Sequence, residues 1–204
     1  MHNYWSWLED SFVSNIRAQK WYNGNPPRNL SGFVDDKSNR LIGWATMRQL
    51  RIQSELCHKK QAIDEHRLTC QQDYSLFNEE KRAFLPGWNQ TNPRNYSALI
   101  RSAFHYQTSK QLDTYMYAGD HANYASGGYV FEFRGRLTDM QSNLSQLHQL
   151  GWIDDQTRAV IIQFSLFNPN VNMFTSVTLL VEMLSTGAII PTVRFEPIDL
   201  QSRL

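Results

Sequence analysis

The residues best suited to site chemistry are two cysteines with two histidines between them. Cys57 and Cys70 are the only cysteines of the chain, and His58 and His66 lie within the interval that they bound. Thiolate and imidazole both bind zinc, but a structural zinc site usually contains a closer Cys-x-x-Cys pair, and adjacent ligands rarely share one tetrahedral ion. A pair thirteen positions apart in a loop-rich sequence also fits a disulfide. The residues themselves leave three interpretations open: a disulfide, a zinc site and two unrelated thiols.

Other groups that suggest a site have simpler structural interpretations. The adjacent aspartates Asp35-Asp36 and Asp154-Asp155 lack the spacing of an EF-hand loop, and neighbouring side chains on an extended segment point apart. Gly127 and Gly128 are not followed by the glycines or the lysine of a phosphate-binding loop, so they indicate a bend in a strand. We therefore predict no metal and no cofactor.

No pairing of nucleophile and base is recognisable in the sequence. The six histidines are dispersed, and the Gly-x-Ser-x-Gly pattern does not occur. We therefore predict a protein that is not an enzyme and has no catalytic residues. A hydrolase with a dispersed site is one alternative, and it would require a histidine whose replacement abolishes activity.

Four Asn-x-Ser/Thr sequences could accept N-linked glycans if the chain enters a secretory compartment. They begin at Asn29, Asn89, Asn95 and Asn143. The first three fall in or beside polar loops. Asn143 falls on a helix, opposite the apolar stripe of that helix. All four are therefore predicted to face solvent.

Length and composition favour one folded domain over residues 1–204. A hydrophobic content of 41% and a charged content of 19% are typical of globular proteins. The net charge of +1, from 20 basic and 19 acidic residues, provides no long-range attraction to nucleic acid. The most apolar stretch, residues 171–190, is interrupted by polar residues and by a glutamate, so it is not expected to cross a bilayer as a helix. The first ten residues lack the basic start and apolar core of a secretion signal.

Hydrophobic periodicity predicts an α+β fold, with a largely antiparallel sheet, helices packed on one face and a long irregular segment. The first helix is predicted over residues 3–18, and a second begins at Thr138, with Gln141 completing a capping-box pattern, and ends at Gly151. Residues 71–100 are predicted to be irregular. The predicted strands are residues 41–52, 112–117, 128–134, 158–167, 174–184 and a last strand that begins at residue 193.

The order of these elements, together with their turn residues, resembles the polycystin domain. The matching pieces are residues 47–51 (MRQLR), 124–129 (YASGGY), 152–154 (WID) followed by 157–160 (TRAV), 167–172 (FNPNVN) and 187–191 (GAIIP). The resemblance extends over nearly the whole chain, and no single motif carries it. The tryptophan-rich start, residues 5–7, and residues 174–179 are nearer the large receptor-like branch, which is similar to polycystin-1.

The resemblance implies a location and a role. In polycystins this domain follows the first membrane helix of a cation-channel subunit, including calcium channels of the cilium, and stands on the extracellular or lumenal side of the plasma or ciliary membrane. Four sister subunits form a homomeric or heteromeric ring. They meet through a protruding disulfide-bearing segment, which corresponds here to residues 57–95. A disulfide between Cys57 and Cys70 is thereby implied, and Phe84, Leu85 and Trp88 become candidates for contacts between subunits.

Two hypotheses follow from different functional classes. The first is a glycosylated extracellular domain of a polycystin channel subunit that mediates assembly and modulates gating without enzymatic activity. The second is a stand-alone extracellular adhesion or ligand-binding module that uses the aromatic loop. Apolar helices on both flanks of this segment in the full polypeptide would select the first hypothesis.

The cysteine pair gives the first testable prediction. Under non-reducing, denaturing conditions we expect no titratable thiol, and Cys70→Ser should lower the free energy of unfolding by roughly 3 kcal/mol, because the disulfide closes a loop of about fourteen residues in the unfolded chain. Thiol titration with and without a reductant, before and after a zinc chelator, distinguishes the alternatives. Two free thiols in the untreated protein would contradict the disulfide, and thiols that appear only after chelation would indicate zinc.

Overall fold

The computed structural model describes residues 2–25, 32–53, 55–56, 69–70, 72–89 and 95–199. Cys57, His58, His66 and Asn29 lie outside these residues. The other residues of the segment 57–68 also lie outside them. For Cys70 the backbone is described as part of a short strand.

A six-stranded antiparallel sheet forms the centre of the structure, with the strand order β10-β9-β8-β1-β7-β4. Its strands are β1 (Arg40–Arg51), β4 (Tyr106–Gln107), β7 (Gly128–Glu132), β8 (Thr157–Asn168), β9 (Met173–Met183) and β10 (Ile189–Asp199). Two small pairs complete the β-structure: β2 (Glu55–Leu56) with β3 (Thr69–Cys70), and β5 (Tyr117–Ala118) with β6 (Asn123–Tyr124). The predicted α+β class with a largely antiparallel sheet is confirmed.

The central strand β8 is buried on both faces over its first half. All six residues from Thr157 to Ile162 are buried, whereas the distal half of the strand is only partly covered. A strand covered on both faces has a continuous apolar run and no alternation, which explains why its sequence reads AVII. β8 pairs with β1 on one side and with β9 on the other, so it is the axis of the sheet.

Helices cover one face of this sheet. They are α1 (His2–Ser6), which continues as a π-helical segment (Trp7–Phe12) into α2 (Val13–Asn15), α3 (Ala98–Ser102), α4 (Ser109–Leu112) and α5 (Leu137–Gln149). The main core lies between these helices and the sheet, and its largest side chains are Trp5 and Trp152. The Trp152 indole also donates to the carbonyl oxygen of Ala103 at 2.8 Å. No helix of the described residues is long and apolar enough to span a bilayer.

The start of α5 differs from the predicted capping box. The carboxylate of Asp139 accepts the backbone N–H of Arg136 at 3.2 Å, so the cap is formed two residues earlier than the pair Thr138 and Gln141 would form it. An aspartate in the first turn also interacts favourably with the positive end of the helix dipole. The predicted helix itself, with Met140, Leu144 and Leu147 buried, is confirmed.

One strand prediction is wrong. Residues 112–117 do not form a strand: α4 ends at Leu112, Asp113 has a left-handed backbone conformation, and β5 begins only at Tyr117. The alternation of side chains in this stretch reflects a turn whose apolar members, Tyr115 and Met116, are exposed to solvent. The sequence of residues 112–117 therefore alternates, although these residues do not form a strand with one buried face.

Irregular segments cover part of the opposite face of the sheet. A second, smaller apolar cluster there joins sheet residues such as Leu50, Ile161 and Leu180 to Tyr74 and Tyr124, which belong to residues 72–89 and to β6. The rings of Tyr74 and Tyr124 lie 5.0 Å apart. The sheet is thus packed against regular helices on one face and against loops on the other.

The core under α5 gives a stability prediction. Leu144 is fully buried between α5 and the sheet, and Leu144→Ala should lower the free energy of unfolding by about 2–5 kcal/mol, because it removes apolar contacts and leaves a cavity. Gln141→Ala, on the exposed side of the same helix, should change it by less than about 0.5 kcal/mol. Urea unfolding followed by tryptophan fluorescence measures both. Equal effects of the two substitutions would contradict the buried position of Leu144.

Candidate contact surface and its anchors

The predicted contact residue Trp88 is bound to the interior of its own chain. Its indole N–H donates to the carbonyl oxygen of Gly151 at 2.8 Å, and its ring packs edge-on against Phe104 and Tyr129. The guanidinium of Arg51 lies 3.5 Å from the centre of the ring, which is the geometry of a cation–π contact. Trp88 therefore fixes residues 84–89 to the sheet.

Arg51 connects this aromatic contact to the start of β8. Its side chain is buried, pairs with the carboxylate of Asp154 at 2.9 Å and donates to the side-chain carbonyl of Gln156 at 2.6 Å. Burial lowers the pKa of Arg51, and the charge of Asp154 opposes that change. Asp154 also accepts the backbone N–H of Gln156, so it closes a turn.

Phe84 and Leu85 are half-buried and also contact their own chain. Phe84 packs edge-on against Trp88, with ring centres 5.5 Å apart, and Leu85 forms an isolated backbone bridge with Asn89. The three candidate contact residues therefore make intramolecular contacts, and a role between subunits stays a prediction for all of them.

More exposed apolar side chains lie elsewhere in the irregular segments. Phe77 is 98% exposed and Leu76 is 44% exposed, at the tip of a turn in which the Asn78 side chain accepts the backbone N–H of Ser75. Tyr115 is 89% exposed in the turn after α4. Sequence reasoning did not select these residues, although the pair Leu76 and Phe77 between polar residues in a loop was a usable signal.

Arg48 is a buried cation that binds the bend at residues 125–128, which contains Gly127 and Gly128. It extends from β1, and its Nη1 atom donates to the carbonyl oxygens of Ala125 at 3.1 Å and Ser126 at 2.6 Å. Both glycines that follow are required by close approach. A Cβ on Gly127 would lie 2.2 Å from the Tyr106 hydroxyl, and one on Gly128, whose φ is +146°, would lie 2.8 Å from a backbone oxygen of β1. The sequence YASGGY thus encodes a bend that contacts the sheet directly.

Glu182 is the corresponding buried anion. It lies in β9, is fully buried, and its carboxylate accepts the backbone N–H groups of Asp120 at 3.2 Å and His121 at 3.0 Å. It also accepts the hydroxyl of Tyr124 at 2.8 Å. A Cβ on Gly119 would lie 2.5 Å from its Oε1 atom, so only glycine fits there. Glu182 therefore binds the turn between β5 and β6 to the sheet.

The protonation of Glu182 reflects two opposing effects. Burial raises the pKa of its carboxyl group, whereas the hydrogen bonds from His121, Tyr124 and Asp120 lower it, and the net result is a pKa below the ordinary value of glutamic acid. The hydroxyl of Tyr124 experiences the converse: burial and the adjacent carboxylate raise its pKa. Glu182 is therefore ionised at neutral pH and acts as an acceptor.

Two further carboxylates fix the segment that leads to Phe84. Glu79 is buried, accepts the Tyr106 hydroxyl at 3.1 Å and pairs with Lys81 at 3.2 Å. Glu80 is buried and accepts the backbone N–H and the guanidinium of Arg82. Sequence reasoning missed all of these buried charges, although an arginine or a glutamate inside an apolar strand was a visible signal.

The remaining predicted sites have the following positions. Asn89 and Asn95 are exposed and Asn143 is half-buried on α5, so glycosylation at these residues stays a prediction. The carboxylate of Asp36 accepts the backbone N–H groups of Ser38 and Asn39 and so closes a turn. Within the described ranges, no group of three or more histidines, cysteines, aspartates and glutamates could hold a metal ion.

Sequence similarity identifies the family of this chain. The family model of the polycystin domain matches residues 1–201. The chain belongs to the polycystin domain family. It is 32% identical over 200 residues to "Location of vulva defective 1" of Caenorhabditis elegans, covering 97% of the chain and 6% of that protein.

The relatives that match this polycystin domain include a polycystin-2 and a polycystin-1-like protein. It is 30% identical over 201 residues to Polycystin-2 of Danio rerio, covering 98% of the chain and 21% of that protein. It is 28% identical over 187 residues to Polycystin-1-like protein 3 of Mus musculus, covering 89% of the chain and 8% of that protein. The chain thus spans less than a quarter of these relatives, and its assignment to the receptor-like branch stays a prediction.

The acceptor role of Glu182 gives a pH-dependent prediction. Glu182→Gln should lower the free energy of unfolding at pH 7 by about 1–3 kcal/mol, because an amide places its own donor beside N–H groups that need an acceptor. A pKa lowered by folding contributes stability above the unfolded value of about 4.3, and this stability is lost as the pH falls through the folded value. The difference between wild type and variant should therefore shrink in acid.

Urea unfolding of both proteins at several pH values between 7 and 3 measures this difference. The control is Glu196→Gln, which removes an exposed ion pair with Arg194 and should change the free energy of unfolding by less than about 1 kcal/mol at pH 7. A difference between wild type and Glu182→Gln that does not vary with pH would show that the carboxylate charge is not what binds the turn.

Proposed function

We propose that this chain forms one non-enzymatic domain of a polycystin cation-channel subunit, on the extracellular or lumenal side of the membrane. We further propose that it holds neighbouring subunits in register and modulates gating. The observation that carries this proposal is the match of the polycystin domain family to residues 1–201. Relatives named Polycystin-2 and Polycystin-2-like protein 1 match the chain, which supports a channel role and a non-enzymatic one.

The mechanism that we propose combines a rigid sheet with pinned contact loops. Buried charged residues bind the backbone of residues 119–127, and Trp88 together with Arg51 binds residues 84–89. Loops held in one conformation lose little conformational entropy when they bind a partner, which favours their use in subunit contacts. A force on such a loop would be transmitted to the sheet, and from there to the membrane helices of the channel.

Phe77 is the aromatic side chain best exposed for such a contact. It belongs to the predicted contact segment 57–95, and its almost complete exposure contrasts with the half-buried Phe84, Leu85 and Trp88. Exposed aromatic residues that insert into a neighbour's pocket commonly dominate interface energies. We therefore propose that Phe77 contacts the adjacent subunit, while the other three support the segment from below.

The Asn-x-Ser/Thr sequences and the cysteine pair support the proposed extracellular or lumenal location of the domain. Asn89 and Asn95 are exposed, as glycan acceptors must be, and a disulfide between Cys57 and Cys70 would require an oxidising compartment. Both features belong to the extracellular or lumenal face. They remain predictions for this chain.

Assembly of the full-length polypeptide tests the proposed contact. Phe77→Ser should reduce the fraction of cross-linked tetramer in detergent, because it removes an apolar anchor from the contact surface. The same substitution should leave the thermal unfolding midpoint of the isolated chain unchanged, since the side chain packs against little of its own domain. Val171→Ser, which removes an exposed apolar side chain from the turn between β8 and β9, is the matched control and should assemble like wild type.

Each outcome of this test is decisive. Loss of the tetramer with Phe77→Ser alone supports a contact role for the segment. Normal assembly with both variants would contradict that role for Phe77. An equal loss with both would show that the effect is a general one of surface substitution and would also contradict it.

A further inference from the structure

A histidine of α5 lies between two side chains of the first helix, which runs from α1 through the π-helical segment into α2. The Nδ1 atom of His148 is 3.1 Å from the Oε1 atom of Glu9. The imidazole of His148 also stacks on the indole of Trp5, with ring centres 4.6 Å apart and an angle of 10° between the planes. The side chains of His148 and Glu9 are 39% and 31% exposed, so protons can reach them from water. We call this group of three side chains the His148 clamp.

Three features of the clamp attract a positive charge on His148. The carboxylate of Glu9 forms a stronger hydrogen bond with an imidazolium than with a neutral imidazole. The π face of Trp5 attracts a cation. His148 also lies in the last turn of α5, where the helix dipole favours a positive charge. Protonation of His148 therefore strengthens its contacts with the first helix.

The other charged groups around α5 do not cancel this effect. The π-helical segment, α2 and α3 pack against α5. In addition to Glu9, these elements carry Asp10 and Arg101, which have opposite charges and are exposed, so solvent screens both of them. Asp139 belongs to the first turn of α5, about 14 Å from His148 along the helix axis. Among the described residues, Glu9 is the one charged group in contact with His148.

The helix that carries Glu9 depends on tertiary contacts for its conformation. Its buried residues recur at every fourth position, namely Tyr4, Leu8, Phe12 and Ile16. In an α-helix this row would rotate by about 40° at each step, because four residues exceed one turn of 3.6 residues. The π-helical segment Trp7–Phe12 has more residues per turn and so keeps the row on the core. Since π-helical geometry is rare, weakening a contact that holds it should increase local opening.

We propose that the His148 clamp is a pH-sensitive device that holds the first helix against α5. At pH 5.5 the imidazole is charged and the clamp is tight. At pH 8 the imidazole is neutral, the charge-dependent part of the contacts is lost, and residues 5–12 open more often. The device is formed within one chain, so it does not depend on the proposed channel role.

A double-mutant cycle of Glu9→Gln and His148→Gln, measured by urea unfolding at pH 5.5 and pH 8, tests the coupling of the two groups. We expect the coupling to change the unfolding equilibrium constant by about three- to tenfold at pH 5.5 and by less than about twofold at pH 8. The cycle cancels the contribution of other groups that titrate in this range, such as His121 beside Glu182. The matched control is His105→Gln, which replaces an exposed histidine outside the clamp and should be additive with Glu9→Gln at both pH values.

Hydrogen exchange measures the opening of the first helix directly. After correction for the intrinsic exchange rates, the amides of residues 5–12 should be about three- to tenfold more protected at pH 5.5 than at pH 8 in wild type. His148→Gln and Glu9→Gln should each abolish most of this difference. Trp5→Phe should reduce it, because phenylalanine attracts a cation less strongly than tryptophan does. His105→Gln should retain it.

Two results would overturn the proposal. Equal coupling at the two pH values would show that the contact of His148 with Glu9 does not respond to charge. Coupling that depends on pH, without a change in the exchange of residues 5–12, would show that the clamp does not hold the first helix. If His148→Gln failed to fold, Glu9→Gln alone would decide, because it changes only the charge of a partly exposed side chain. A wild-type pH difference in exchange that persists in Glu9→Gln would contradict the device.

Discussion

The structure depends on charged side chains of the sheet that are buried and bind the backbone of loops. Arg48 in β1 donates to successive carbonyl oxygens, and Glu182 in β9 accepts successive N–H groups. Burying an ionised group is costly unless its hydrogen-bonding capacity is satisfied. The hydrogen bonds of the Arg48 Nη1 atom and of the Glu182 carboxylate form only when residues 119–127 adopt one conformation. The buried charges therefore hold the loop in the conformation that supplies their hydrogen bonds.

This arrangement explains how a domain with long irregular stretches keeps a defined surface. The face of the sheet opposite the helices is covered by residues 72–80 and by the turns around β5 and β6. Tyr74, Tyr106 and Tyr124 bring their rings into apolar contacts and their hydroxyls to polar partners. The apolar tips at Phe77 and Tyr115 are exposed because the loops beneath them are held from inside.

The sequence predicted the regular elements well and the anchoring network poorly. The strands β1 and β9 and the helix α5 follow from local periodicity, and β8 follows from its continuous apolar run. Their positions agree with the structure within a few residues. The strand prediction for residues 112–117 was wrong because alternation in a turn has the same pattern as alternation in a half-buried strand. Trp88 was selected for contacts outside the chain, yet its indole and ring are bound to Gly151 and Arg51, which are distant along the sequence.

The sequence alone determined the fold class and the family resemblance, and it predicts the sites that depend on short motifs, namely the acceptor asparagines and the cysteine pair, which stay predictions. These are encoded in neighbouring residues, because periodicity, turn residues and sequons act over a few positions. Tertiary structure alone decided which charges are buried, which aromatic rings remain exposed and which side chains surround His148. Those properties depend on residues such as Glu9 and His148, or Arg48 and Ser126, which meet only when the helices and the sheet have packed together.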